Sequence, residues 1–171
     1  MAWRGSIPRR RFCPAVVRGA FLASKGETMN IRKVYQSLRQ AGYNASHAHS
    51  AAKTIAEYAA LEQAGLVRLR AEPEQENYFD VYGEPEGYTD INGRWHTPEQ
   101  ERQEIADSID RNGLWFIVAE WRDNEESEWQ HADSIGMNAG YSDPLDPREN
   151  VYVPDLMRSA VNAAQSANYS I

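Results

Sequence analysis

Residues 114–122 read Leu-Trp-Phe-Ile-Val-Ala-Glu-Trp-Arg, and their apolar side chains fall on both parities. In an extended chain Trp115, Ile117, Ala119 and Trp121 share one face, while Leu114, Phe116 and Val118 share the other. A strand apolar on both faces belongs in the middle of a sheet. Asp123–Ser127 then forms an acidic turn, and Glu128–Ile135 reads as the strand that returns beside the first. Leu66–Ala71 alternates Leu66, Arg68, Arg70 against Val67, Leu69, Ala71, which predicts a further strand. Tyr78–Tyr82 alternates in the same way and predicts another, separated from it by the charged turn Glu72–Glu76.

The remaining segments carry the helical period. Ile31, Val34, Leu38 and Ala41 form one stripe, with Asn30 placed to cap the helix and Gly42 just past its end. Residues 46–64 form an Ala-rich helix with Ser46 as cap and Gly65 as terminator; its small side chains would admit another element closely. Thr97-Pro98-Glu99-Gln100 combines a capping threonine, proline at the first helical position and glutamine at the third. Ile105, Ala106 and Ile109 supply the apolar stripe of that helix, and Gly113 ends it. Gly83–Gly93 is a loop with a turn signal at Asn92-Gly93, and Gly136–Asn150 is a second loop. Pro154 opens a last helix with Leu156, Ala160, Val161 and Ala164 inward. The order is ααββαββα, which predicts a single small α+β domain over 29–171 with a mainly antiparallel sheet.

Residues 1–28 differ from this body. They hold six basic residues, one acid (Glu27) and the chain's sole cysteine, Cys13. Arg18 interrupts the apolar stretch that a secretory signal needs, and a basic nucleic-acid arm is a second reading. Lys25-Gly26-Glu27-Thr28 stands just before Met29, and codons for Lys-Gly-Glu can spell a bacterial ribosome-binding site. The leader is therefore expected to be disordered or translated upstream sequence, with the folded chain starting at Met29. A single cysteine excludes an intramolecular disulfide and fits a reducing compartment. No apolar run reaches the length of a membrane span.

Much familiar chemistry is missing. There is no Lys after Lys53, and no nucleotide-loop, nucleophile-elbow, zincin or EF-hand pattern occurs. No cofactor, no metal site and no catalytic residue is expected. His47 and His49 are two apart on a helix and diverge, so they make poor co-ligands. His96 precedes a helix cap and reads as exposed. Asp143-Pro144-Leu145-Asp146-Pro147 could suggest a cation site, but Asp-Pro pairs initiate turns. One enzymatic alternative is open: if residues 114–122 and 128–135 pair, Glu120 faces His131, and Asp133 follows on the same face, an acid–base constellation. Against it stands a plain cross-strand polar pair. A second alternative is a DNA-binding regulator with a helix-turn-helix at 30–64, where Ser50, Lys53 and Gln63 would be the base-reading side chains.

Charge is segregated along the body. Residues 29–71 carry a net +4, residues 72–133 carry 18 acids against four arginines, and residues 134–171 carry a net −2. Glu99, Glu101, Glu104, Asp107 and Asp110 fan around the side of the 98–112 helix away from Ile105 and Ile109. Asp123, Glu125, Glu126 and Glu128 crowd one turn. Like charges at i,i+3 and i,i+4 repel, and solubility alone asks for a smaller, mixed charge. Carboxylates on rigid elements can imitate the phosphate spacing of a nucleic acid and attract a cationic groove. Tyr78, Tyr82, Tyr88, Trp95, Trp121 and Trp129 lie among them as candidate anchors.

With its Val-Ala-Glu-Trp-Arg and Ala-Asp-Ser-Ile segments at 118–122 and 132–135, the chain resembles small acidic accessory proteins of phages and plasmids. In style it is similar to anti-CRISPR and antirestriction proteins that mimic DNA. The resemblance implies a non-enzymatic inhibitor in the cytoplasm of a bacterial host cell. Its partner would be a basic surface of a nuclease or defence complex, with direct nucleic-acid binding disfavoured, no membrane, and a homodimer allowed.

Overall fold

The computed structural model describes residues 29–168. The expectations for residues 1–28, Cys13 included, lie outside the described residues. The body is an α+β fold built from a three-stranded antiparallel sheet, two helices against one of its faces with a third packed on them, and a small lobe at one end.

The first helix, α1 (Ile31–Gln40), is capped by the Asn30 side chain and buries Val34 and Leu38. The second, α2 (Ala45–Gln63), starts one residue earlier than predicted, because Asn44 rather than Ser46 accepts the free backbone N–H of His47. Its alanines do admit a neighbour. Ala48 and Ala52 are fully buried in the same cluster as Ala160 and Ala164 of α5 (Val153–Asn168), which packs across α2. The inward residues of α5 are Val153, Leu156, Met157, Ala160, Val161 and Ala164, a 3.6-residue stripe.

The sheet runs β1 (Val67–Pro73), β4 (Leu114–Trp121), β5 (Gln130–Ala139), with β4 in the centre as its composition requires. Ile117 and Ala119 face the helices and are fully buried. Among the described residues no helix covers the opposite face of β4. There Val118 sits in register with Arg70, and Glu120 with Arg68. The apolar residues of that face are shielded by neighbouring strands' long side chains rather than by a second layer. Strand β5 outruns its predicted end at Ile135 by four residues, through the segment assigned to a loop. Two irregularities let it do so: Phe116 faces the bend where Met137 adopts φ +58°, and an extra residue, Ala132, lies opposite the Ala119–Glu120 step.

One predicted strand is absent. Tyr78–Tyr82 is a short helix, α3, capped by the Asn77 side chain, so its alternating pattern reflects ring packing rather than a pleat. The Tyr78 and Tyr82 rings meet at a tilt with centroids 4.9 Å apart, a contact between residues four apart that fits a helix and not a pleat. Strand pairing appears instead in the segment read as a loop. There β2 (Tyr88–Thr89) and β3 (Trp95–His96) form a two-residue ladder closed around Asn92-Gly93. The observed order is α1-α2-β1-α3-β2-β3-α4-β4-β5-α5 rather than ααββαββα.

Helix α4 (Pro98–Asn112) has the complete capping box read from Thr97 and Gln100. None of its residues is buried: Ile105 and Ile109 are only half-covered, because α4 leans on the end of β5 and the β2–β3 hairpin instead of on the main core.

Candidate functional site

Thirteen of the 18 acids in residues 72–133 fall into three groups by what they touch. The first group is neutralised internally. Glu120 accepts Arg68 Nε at 2.6 Å and Arg70 Nε at 2.8 Å, Glu72 is paired with Arg70, and Glu84 with Arg102. Burial alone would raise the Glu120 carboxyl, but the hydrogen bonds from Arg70 and Arg68 outweigh it and hold the group below its ordinary value. Its stabilising contribution is therefore present above pH ~4.5, the unfolded-chain range, and disappears as pH falls through the lower folded value. Glu120→Gln should cost about 1 kcal/mol at neutral pH, since both arginines are partly solvent-screened. Thermal melts from pH 6 down to 3 should show the gap between wild type and variant closing in acid; parallel curves would refute this role.

Glu120 and His131 are indeed opposite one another in register. The three residues of the enzymatic alternative nevertheless do not converge. Glu120 is turned to the arginines, His131 makes its side-chain contact with Ser134 Oγ at 3.2 Å, and Asp133 accepts from Ser159 on α5 at 2.8 Å. The extra residue at Ala132 reverses the parity, so Asp133 faces the helices while Glu120 faces away. The strand arginines that follow the helix pair of the DNA-binding alternative, Arg68 and Arg70, are likewise occupied by Glu120. Arg68 also stacks on Trp129 at 4.2 Å, with Arg122 on the same ring at 4.4 Å. Ser50 accepts from Arg158, and seven residues of α2 are buried, leaving Lys53 and Gln63 exposed.

The second group holds the lobe together. Glu101 Oε2 accepts the Gly87 backbone N–H at 2.8 Å. Glu104 Oε2 accepts the Tyr88 hydroxyl at 2.8 Å, and Glu104 Oε1 lies 2.8 Å from His96 Nδ1. The other ring nitrogen of His96 is 3.4 Å from Asp90, and the imidazole stacks on Tyr88 at 4.5 Å. The Tyr88 hydroxyl first, and His96 with it, hold Glu104 below the usual carboxylate range; the Arg94 N–H and His96 do the same for Asp90. The sequence reading placed His96 in solvent and Glu104 on an outward fan. Both are instead part of the clamp between hairpin and helix. The signal was available, because Glu101 and Glu104 share the α4 face of Ile105, and a face with an apolar residue is the one that packs.

The third group is outward and unpaired. Glu99, Asp107 and Asp110 of α4 are exposed, as are Asp123, Glu125, Glu126 and Glu128. Among the described residues none of them forms an ion pair with a lysine or arginine. Glu99, Gln103, Asp107 and Asp110 fall on one face of α4 at i, i+4, i+8 and i+11. Asn124 shapes the turn by accepting the N–H groups of Glu126 and Ser127. The two clusters do not form a single patch. Helix α4 ends where β4 begins and the turn starts where β4 ends, an eight-residue strand of about 26 Å between them.

The Asp-Pro segment is a turn: Asp143 accepts the Leu145 N–H, and Asp146 is bound by Arg148. Among the described residues no group of three His, Cys, Asp or Glu stands where it could hold a metal ion, and no helix is long and apolar enough to cross a membrane. Comparison with protein-family models, curated proteins and solved structures returns no match.

Proposed function

We propose that this protein is a non-enzymatic inhibitor. It occupies a basic, nucleic-acid-binding surface of another protein, of the kind found in restriction or CRISPR nucleases of a bacterial cell, and acts in the cytoplasm. The observation that supports this reading most is the outward row Glu99, Asp107 and Asp110. These carboxylates sit exposed on a capped helix, and among the described residues none of them forms an ion pair with an arginine or lysine. Arginines of the chain pair with Glu72, Glu84 and Glu120, whereas no described arginine or lysine forms an ion pair with this row. Rigid unpaired carboxylates raise the local potential and speed encounter with a cationic groove.

The test is retention of bacterial DNA-binding proteins on the immobilised chain. A basic nuclease or defence protein should be held at ~50 mM salt and released by duplex DNA or by ~0.5 M salt, where charges beyond a few ångströms are screened. If instead the protein alone retards DNA in a gel, the helix-turn-helix alternative replaces this one.

A further inference from the structure

The lobe contains a feature that the outward acids do not explain. Between α3, β2 and α4 lies an open cleft of about 310 Å³, walled by Tyr78 and Tyr88, with the carboxylates of Glu101 and Glu104 along one side and Ile105 and Ala139 lining the rest. The two carboxylates are fixed rather than mobile. Glu101 is tied through Oε2 to Gly87, and Glu104 is held by Tyr88 and His96. Among the described residues Glu101 Oε1 accepts no hydrogen bond and Glu101 forms no ion pair. The nearest arginine along the chain, Arg102, is turned away from the cleft, stacked on Phe79 at 4.0 Å and paired with Glu84.

The cleft is open and its lining mixed, with exposed aromatic rings close by. Tyr82, whose ring touches that of Tyr78, is 63% exposed, and Trp95, whose ring closes against Gly87, is 56% exposed. Exposed aromatics beside the fixed Glu101 carboxylate, which forms no ion pair among the described residues, complement one chemistry above others: a flat cation with an apolar stem. A guanidinium meets all three demands, because it stacks on aromatic faces, forks onto carboxylate oxygens and carries a methylene chain.

We propose that the cleft between Tyr78, Tyr88, Glu101 and Glu104 seats an arginine side chain of the basic protein partner, with Tyr82 and Trp95 as the apolar rim. This rests on the inhibitor reading for the identity of the partner, and it locates the specific contact in the lobe rather than in the 123–128 turn. The outward acids of α4 then bring the partner in, and the cleft fixes its register.

The experiment is amide chemical-shift mapping of the full chain with N-acetyl-arginine amide, using N-acetyl-citrulline amide as the neutral isostere. Saturable shifts are expected at Tyr78, Gly87, Tyr88 and Glu101 with the arginine compound and not with citrulline. Glu101→Gln, which keeps an oxygen for the Gly87 N–H, should weaken binding about tenfold, the loss of one charge-assisted contact. Glu125→Gln should leave it unchanged. Equal shifts from citrulline, shifts centred on 123–128, or an unaltered Glu101→Gln titration would overturn the cleft. Arginine binding at the cleft without any DNA-released partner would instead leave the cleft standing and remove the inhibitor reading.

Discussion

Ile117→Ala should destabilise the fold by about 3 kcal/mol and lower the melting temperature by roughly 10 °C. Ile117 is fully buried on the central strand, in register with Ala71 on one side and Ile135 on the other. It belongs to the same cluster as Met157, Ala160 and Val161 of α5, so no neighbouring strand or helix can collapse into the space without breaking its own pairing. A loss of that size is a large part of the ~5–15 kcal/mol that holds a typical domain together. Val118→Ala is the informative control. Val118 is 7% exposed and lies on the sheet face that no described helix covers, beside Arg70. Its truncation should cost about 1 kcal/mol, because solvent and flexible arginine stems can fill the gap. Equal losses at both positions in chemical denaturation would mean that the second face is as tightly covered as the first.

That contrast also marks where sequence reading stops. The central position of β4 was legible, because a segment apolar at both parities has few other places to go. Its covering was not: the pattern cannot distinguish a second helical layer from long charged side chains lying flat. Helix ends were legible wherever a cap is chemically specific, as at Asn30 and at Thr97 with Gln100. They were misplaced by a residue where two candidates, Asn44 and Ser46, stood close together. Tyr78–Tyr82 failed because five residues are too few to separate a period of two from one of 3.6, so the Asn77 cap was the better signal. The extension of β5 through Gly136 was hidden because glycine usually punctuates. Here Gly136 leaves room beside Phe116 and the Glu74 carboxylate, which would lie 2.8 Å from an added Cβ.

For the candidate site, the net charge of the middle third was plain, and its distribution was not. A linear count treats Glu104 and Glu120 like Glu99, although the first two are engaged by Tyr88 with His96 and by two arginines. Cross-strand register decides such partnerships, and register depends on bulges that leave no local trace. The single insertion at Ala132 is enough to separate Asp133 from Glu120 and dissolve the acid–base alternative.

Asp107→Asn together with Asp110→Asn should slow association with the basic partner by about tenfold or more while leaving the fold as stable as before or slightly more so. Both acids lie toward the C-terminal end of α4, where the helix dipole is negative, and they are three residues apart on one exposed face. The two repel each other by a few tenths of a kcal/mol, and Asp110, in the last turn, is disfavoured by a similar amount by the dipole. Asp107 recovers some of this through the Gln103 amide at 2.7 Å. Glu99 differs, because it stands in the first turn, where a negative charge is favourable, so Glu99→Gln should cost a little stability. A purely solvating surface predicts no effect of these changes on partner capture. A surface kept for encounter predicts that the variant gaining stability is the one losing rate, with the deficit shrinking as salt rises. Stopped-flow association and thermal melts on the same samples separate the two. An unchanged association rate at ~50 mM salt would remove the support that the α4 carboxylates give to inhibition by charge mimicry.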